Sequence, residues 1–165
     1  MLNKTVQDTI NEQIKNELYS AYLYLAMSAY FEAQTLPGFA HWMRLQANEE
    51  VAHAMKFFEY VNDRGGRVLL KAIDQPPAEW KSYLEAFEQV LEHEKKVTAL
   101  INHLYEVALK ENDYASQVML HWFITEQVEE EKHAAEIVEE LKRIDAHETA
   151  VLLLDKKLGK RGGED

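Results

Sequence analysis

Four glutamates and one histidine that could bind metal ions recur at equivalent places in four segments of the chain. Each lies in a seam of mostly apolar residues spaced in steps of three and four, which forms one face of a helix. A buried, ionised carboxylate without a partner is very costly, and several together repel one another. One such acid could rotate to the rim or pair with lysine, but four together need cations. These residues are Glu17, Glu50, His53, Glu94 and Glu130.

The ligand types indicate which metal would suit this seam. Carboxylates and imidazole suit Fe(II), Mn(II) or Zn(II), and they do not suit Cu(I) or another thiolate-seeking ion. A glutamate from each of two helices, combined with Glu-x-x-His from the others, is the di-iron carboxylate pattern. Glu50 and His53 supply one Glu-x-x-His, because residues three apart share a helix face. Two adjacent Fe(II) ions can each pass one electron to one O₂.

Long helices within a single domain, residues 1–165, are predicted to position these groups. Of the 165 residues, 47% are apolar and 28% are charged, which is a globular composition. The 6 glycines and 3 prolines are clustered, so the helices between them can run without interruption. Five helices are predicted. The first spans about 5–34, the second runs from the turn at 37–38 to about 64, and the others span about 82–111, 114–144 and 146–158. A frayed tail at 159–165 follows.

Local cap signals support these boundaries. The glycines at 65–66 provide a left-handed C-terminal cap for the second helix. Ser82 with Glu85 forms a capping box that opens the third helix, and Asp145 with Glu148 forms another before the short fifth helix.

Connection lengths predict the topology. The first and second helices, and the third and fourth, are joined by short links and therefore form antiparallel hairpins. The segment 67–81 has no helical periodicity, and about 15 extended residues span about 50 Å. A helix of about 28 residues is about 42 Å long, so this segment can cross the whole bundle. The fold class is therefore all-α: a ferritin-like four-helix bundle with one long crossover and a short fifth helix.

The two short turns also bring the acids to one level. Glu17 lies about 18 residues before the first turn, whereas Glu50 and His53 lie about 15 and 17 after it. Glu94 lies about 18 residues before the second turn, and Glu130 lies about 17 after it. At a rise of 1.5 Å per residue, these levels differ by about 5 Å or less.

Composition excludes several classes of function. Cysteine is absent, so a disulfide, a zinc finger or a cysteine-ligated iron–sulfur cluster cannot form within the chain. No run of 18 apolar residues predicts a membrane span, and residues 1–10 lack an apolar signal core. The net charge of −11 fits either an ordinary acidic surface or a chain that attracts cations and repels nucleic acid. We therefore expect a cytoplasmic protein with neither membrane nor nucleic acid as partner.

Longer motifs resemble those of prokaryotic non-haem ferritins over nearly the whole chain. The resemblance implies an iron-storage ferritin with ferroxidase activity, assembled as a hollow shell of 24 subunits with octahedral symmetry. In that shell the fifth helix would line the fourfold axis. The motifs are ELYSAYLY at 17–24, EE-x-x-HA at 49–54, HE at 93–94, EQVEEE at 126–131, GFAHW at 38–42 and DRGGRV at 63–68.

The resemblance also implies residue roles at a pair of iron sites. Glu17, Glu50 and His53 match the first iron site. Glu50, Glu94 and Glu130 match the second, with Glu50 as the bridge between the two ions.

Three further residues match groups beside the iron pair. Gln127 corresponds to a residue that contacts the site or its oxygen. Tyr24 corresponds to a tyrosine that can donate an electron, although it could simply be a packed core residue. Trp122 corresponds to a second redox-capable aromatic residue, although packing alone would also explain it.

A third iron site is implied nearer the shell interior. Glu49, Glu126 and Glu129, sharing Glu130, match it, and the alternative is a solvated acidic face. His133 completes a second Glu-x-x-His with Glu130 but lies one turn beyond the site, so direct ligation is disfavoured. The remaining histidines fit surface or packing roles.

Competing classes fit less well. Bacterioferritin would need Glu-x-x-His at 127–130 and a haem-ligating methionine at 51. The chain has Gln127, Glu130 and Val51 at those positions, so no haem is expected. Rubrerythrin would need cysteines, and a di-iron oxygenase would need a larger chain. A shell or iron-binding subunit without ferroxidase activity is the main alternative, and a plain helical interaction protein would not need level-matched acids.

The predicted reaction follows from the paired site. Fe(II) would enter through acidic channels and fill the site, and O₂ or peroxide would oxidise both ions. The Fe(III) product would move into the cavity and mineralise as hydrated ferric oxide. The sequence leaves open the choice between O₂ and peroxide.

Overall fold

The computed structural model describes residues 1–145 and 147–163, and over those residues it confirms the all-α bundle. The four long helices agree with the predicted bounds to within one or two residues. Residue 146, the predicted start of the fifth helix, lies outside the described residues. None of the described helices has the length and hydropathy needed to cross a bilayer. The helices are α1 (Lys4–Ala33), α2 (Pro37–Asp63), α3 (Tyr83–Lys110), α4 (Tyr114–Ile144) and α5 (Glu148–Leu158).

Two of the predicted caps are present. Gly65 adopts a left-handed φ of 69°, and the amide of Gly66 reaches back to the Val61 carbonyl at 2.9 Å, which closes α2. The Ser82 hydroxyl accepts a hydrogen bond from the Glu85 amide at 3.0 Å and opens α3. The Glu85 carboxylate completes this cap by accepting from the amide of Lys81 rather than from that of Ser82.

The predicted capping box at Asp145 is wrong. Asp145 adopts the left-handed conformation, with φ 43° and ψ 47°, and caps the C-terminal end of α4. An N-cap needs extended backbone, and that place is taken by His147, which makes no side-chain cap bond. Aspartate tolerates the left-handed region better than most residues, so the same side chain that signals a helix start ends a helix here.

The described part of the tail is not frayed, contrary to prediction. Residues 159–163 form turns with backbone hydrogen bonds, and the Arg161 carbonyl lies 2.8 Å from His41 Nε2 on α2. Residues 164–165 lie outside the described residues.

Contacts at the helix ends confirm the predicted topology. The Leu2 amide donates to the Arg64 carbonyl, so α1 starts where α2 ends. The Arg64 guanidinium pairs with Asp113 at 3.0 Å, so α2 and α3 end together and run parallel. The crossover follows α1, because Asn11 donates to the Arg67 carbonyl near its start and the Tyr30 hydroxyl donates to the Trp80 carbonyl near its end.

The core consists of two apolar clusters with a polar layer between them. The polar layer contains Glu17, Glu50, His53, Glu94 and Glu130. One cluster lies towards α5 and includes Phe31, Phe39 and Leu141. The other lies towards the opposite end of the bundle, where the Phe57 and Phe123 rings stack at 4.0 Å between centroids. The predicted seams face inward, and the five predicted ligands that they carry are buried. Four apolar or polar positions of the second and third seams are only partly buried, and these are Tyr60, Leu91, Thr98 and Tyr105.

Helix α5 supplies the N-terminal cap that α2 lacks. Leu36 precedes α2 and has no side-chain acceptor, so the first amides of the helix need a partner from elsewhere. Asp155 provides it, because its Oδ1 accepts from the amides of Gly38 and Phe39 at 2.8 and 2.9 Å. A Cβ at position 38 would lie 1.7 Å from the Asp155 carbonyl oxygen, so the close approach requires glycine.

We predict that Asp155→Ala lowers the free energy of unfolding of the metal-free protein by about 1–2 kcal/mol, because two buried amides lose their acceptor. Urea unfolding followed by circular dichroism measures this loss. The exposed neighbour Lys156→Ala is the matched control. Equal losses in the two variants would show that the Asp155 cap does not stabilise the fold.

Candidate metal centre

The first group of metal-binding side chains lies between α1 and α2. Glu17 comes from α1, and Glu50 and His53 come from adjacent turns of α2. His53 Nδ1 lies 3.3 Å from Glu50 Oε2 and 3.9 Å from Glu17 Oε2. One donor atom from each residue lies within 4.8 Å of the other two, and all three side chains are buried. This spacing allows one ion to contact all three.

One oxygen of this group lacks a hydrogen-bond partner. Within the described part of the chain, Glu17 Oε2 is the buried side-chain atom left unsatisfied, while Glu17 Oε1 accepts from the Gln13 amide at 2.8 Å. Buried polar atoms normally find partners, because leaving one bare costs about 1–3 kcal/mol. A bare carboxylate oxygen facing an imidazole nitrogen and a second carboxylate fits a divalent cation.

A second group extends the site towards α4. His53, Glu126 and Glu130 offer donor atoms within 4.8 Å of one another, with Glu126 only partly buried. Glu130 Oε2 also accepts from the Gln46 amide at 2.6 Å. His53 therefore belongs to both groups.

Glu94 reaches the same layer but is held differently. It accepts hydrogen bonds from the Tyr24 hydroxyl and from the Gln127 amide, the latter at 3.1 Å. In the residues that the structure describes, Glu94 belongs to neither ligand group. Its predicted place with Glu50 and Glu130 in the second iron site stays a prediction.

Among the residues that the structure describes, Glu49 and Glu129 of the predicted third site belong to neither ligand group. Glu49 is exposed and pairs with Arg161 at 2.7 Å, and Glu129 is exposed. Glu126 instead joins the second group described above. His133 is exposed and, over residues 1–145 and 147–163, is absent from both ligand groups.

Comparison with known proteins establishes the family. The family model described as a ferritin-like domain matches residues 7–144. The chain belongs to the ferritin family. A curated relative from Bacteroides fragilis, named bacterial non-heme ferritin, is 44% identical over 98% of this chain and 100% of its own length. A relative of the same name from Staphylococcus saprophyticus is 39% identical over 100% of this chain and 99% of its own. The predicted resemblance to prokaryotic non-haem ferritins is confirmed.

Solved structures agree with this assignment. One is described as a novel open pore ferritin from the hyperthermophilic archaeon Archaeoglobus fulgidus. It matches with a TM-score of 0.96 at 49% identity, covering 98% of this chain and 99% of that one. An engineered closed form of the Archaeoglobus fulgidus ferritin matches with a TM-score of 0.97 at 49% identity, over 98% of both chains.

The carboxyls in the polar layer of this ferritin are hard to ionise. Burial raises the pKa of Glu17, and the neighbouring charge of Glu50 raises it further. Burial and the charge of Glu94 raise the pKa of Glu50, and burial raises that of Glu94 itself. Burial and Glu94 raise the pKa of Glu130 to about 7. The metal-free site therefore holds protons that an incoming cation must displace.

Aromatic groups adjoin the layer on two sides. Burial and the charges of Glu94 and Glu50 raise the pKa of Tyr24, so its hydroxyl stays a donor. The Tyr24 ring lies 5.9 Å from that of His93, whose pKa burial lowers to about 4. Trp122 packs edge-on against His53 at 5.4 Å and is 41% exposed.

Sequence reasoning missed two supporting glutamines. Gln13 donates to Glu17, and Gln46 donates to Glu130 at 2.6 Å and to Glu50 at 3.4 Å. Each glutamine precedes a seam glutamate by four residues, which is the spacing at which helical side chains meet. That spacing was the available signal, but it did not indicate which carboxylate each amide would select.

We predict that Glu130→Gln makes the stability of the metal-free protein less sensitive to pH. Because the folded pKa of Glu130 is raised, the stability that its neutral form contributes is fully present below about pH 4.5 and is lost as the pH rises through about 7. The variant should therefore gain about 3 kcal/mol in unfolding free energy relative to wild type between these pH values.

Urea unfolding across this pH range measures the difference. Glu129→Gln, on the exposed side of the same turn, is the control for the loss of one carboxylate. A difference that stays constant for Glu130→Gln would contradict the burial of an ionisable carboxyl at this position.

Proposed function

We propose that this chain is the subunit of an iron-storage ferritin with ferroxidase activity. It oxidises Fe(II) with O₂ or peroxide at a di-iron site and deposits hydrated ferric oxide inside a shell of 24 subunits. The observation that carries the proposal is the buried cluster of Glu17, Glu50 and His53, with one carboxylate oxygen left bare. Such a cluster costs free energy in its ionised form unless a cation enters it.

Glu50 is the proposed bridge between two iron ions. On one side it adjoins Glu17 and His53, which would complete the first iron site. On the other side the charges of Glu94 and Glu130 raise the pKa of Glu50, which supports the proposal that these three carboxylates share an ion. Glu94 would exchange its phenol donor, Tyr24, for the ion. The Gln127 and Gln46 amides would continue to donate to the second oxygen of Glu94 and of Glu130.

The redox chemistry requires two substrate ions held together. Each Fe(II) gives up one electron, and two electrons reduce one O₂ to the level of hydrogen peroxide, which takes up two protons. Fe(III) is the harder and more acidic ion, so it hydrolyses and leaves towards water as hydrated oxide. In this proposal Tyr24, which already donates a hydrogen bond to Glu94, is the electron donor when only one Fe(II) is present. One electron from that ion and one from Tyr24 then reduce O₂ to the level of hydrogen peroxide, and Tyr24 loses its phenol proton and becomes a tyrosyl radical. Trp122 is the second aromatic residue in reach.

A third iron site belongs to the same proposal. Glu126 already joins the His53–Glu130 group, and Glu49 and Glu129 lie one residue from Glu50 and Glu130 on the same helices. Rotation of their exposed carboxylates would allow them to take an ion on its way between the pair and the cavity. The exposure of this set suits exchange rather than retention.

The shell is proposed from the relatives and from α5. The Archaeoglobus fulgidus relatives are described as an open pore ferritin and as an engineered closed form. Helix α5 leaves Leu152 and Leu153 49% and 63% exposed, as expected for a helix that meets other copies at a symmetry axis. The stoichiometry of 24, the single domain of residues 1–165, the cytoplasmic location and the expected lack of haem, membrane and nucleic acid partners stay predictions.

We predict that Glu50→Gln and Glu94→Gln each slow Fe(II) oxidation at least about 100-fold, because each removes a negative ligand while preserving side-chain size. Stopped-flow absorbance after loading two Fe(II) per subunit anaerobically and mixing with air measures the rate. Glu106→Gln, an exposed position on α3, is the control and should oxidise iron at the wild-type rate.

The wild-type result separates the two candidate functions. Rapid oxidation that saturates near two irons per subunit supports the ferroxidase. Oxidation no faster than that of free iron in buffer would leave a shell or iron-binding subunit without that activity.

A further inference from the structure

The C-terminal segment 159–163 brings a positive charge to the edge of the metal centre. Its backbone is anchored on α2, where the Arg161 carbonyl lies 2.8 Å from His41 Nε2. The Arg161 guanidinium lies over the Trp42 ring at 4.6 Å from its centroid and donates to the Trp42 carbonyl at 3.4 Å. Its side chain is only 23% exposed. The guanidinium is therefore held in one place.

From that position Arg161 contacts Glu49, one of the carboxylates of the proposed third iron site. Nη2 pairs with Glu49 Oε2 at 2.7 Å. A carboxylate that already shares its charge with a guanidinium is a weaker ligand for a metal ion. The ion and the guanidinium would also repel each other if both used Glu49.

The same guanidinium is linked through Gln46 to the buried carboxylates of Glu50 and Glu130. Arg161 Nη1 donates to Gln46 Oε1 at 2.9 Å, and Gln46 Nε2 donates to Glu130 at 2.6 Å and to Glu50 at 3.4 Å. A guanidinium has donors only, so it requires the oxygen of the amide to face it. The NH₂ group is thereby turned towards the iron pair. Without Arg161 the amide would be free to reverse.

We propose that Arg161 is a positioning residue that competes with metal at the third site and keeps that site weak. With no ion present it neutralises Glu49, and an ion that enters must displace it. An ion therefore passes through the third site instead of resting there. The inference rests on the third site of the proposed function. It adds that the C-terminal segment 159–163 lowers the metal affinity of that site.

The size of the competition can be bounded. A partly exposed ion pair is worth up to about 1 kcal/mol, which corresponds to about fivefold in affinity. Arg161→Gln should therefore strengthen Mn(II) binding at the third site about fivefold. Arg161→Lys keeps the charge but cannot donate to Gln46 and Glu49 from two fixed nitrogens, so it should strengthen Mn(II) binding at the third site by only about twofold.

Mn(II) titration of the assembled, metal-free protein, with free Mn(II) counted by electron paramagnetic resonance, tests the inference. Mn(II) takes carboxylate ligands and stays divalent under these conditions. The Mn(II) ions that wild type binds and Glu49→Gln does not are assigned to the third site. Lys160→Gln removes the same charge from the adjacent exposed position and should leave every Mn(II) affinity unchanged.

A double-mutant cycle separates competition from a general structural effect. If Arg161 acts on the third site through Glu49, then the Mn(II) binding gained by Arg161→Gln should disappear in a protein that also carries Glu49→Gln. In that protein only the paired site, which Arg161 reaches through Gln46, should respond to Arg161→Gln. Third-site affinities that are equal in wild type and Arg161→Gln, or weaker in the variant, would overturn the inference while leaving the site intact. A full complement of Mn(II) in Glu49→Gln would overturn the third site itself, and the inference with it.

Discussion

Four glutamate carboxyls, each at most 5% exposed, share one level in the middle of this bundle. Each would cost several kcal/mol if it were buried ionised and unpaired, and their mutual repulsion adds to that cost. The two flanking clusters supply the opposing free energy, since each large apolar side chain that leaves water contributes about 1.5–3 kcal/mol. Apolar packing on both sides of the polar layer therefore holds the helices together, and it outweighs the cost of burying the carboxyls.

Protein groups compensate only part of that cost. Gln13, Gln46 and Gln127 each donate an amide to a carboxylate, but an amide carries no charge to neutralise it. His53 faces two carboxylates and can neutralise one at most. The remaining options are protons, which the raised carboxyl pKa values favour, or divalent cations. In the proposed function the acids of this layer serve to bind metal, and metal binding is accompanied by proton release.

The sequence predicts the parts of this arrangement that depend on periodicity and chain length. The helix bounds, the antiparallel hairpins and the common level of Glu17, Glu50, Glu94 and Glu130 all follow from spacing alone. The ligand grouping does not, because it depends on side-chain rotamers and hydrogen bonds. Glu94 illustrates this, since Tyr24 and an amide hold it apart from the ligand groups.

Tertiary contacts explain the remaining differences. Asp145 has the residue type of an N-cap, but the turn between α4 and α5 requires a left-handed residue there. The segment 159–163 has the composition of a loose tail, yet Arg161 finds the Trp42 ring and Glu49 on α2. No local pattern links residue 161 to that helix, so its place beside the metal centre becomes visible only in three dimensions.

Anomalous diffraction from crystals of the protein loaded with Mn(II) is the most direct test of the central claim that the buried acids hold a metal pair. We expect two strong peaks in each subunit, one contacting Glu17 and His53, the other contacting Glu94 and Glu130, with Glu50 between them. Peaks confined to exposed carboxylates, with none in the polar layer, would contradict the claim.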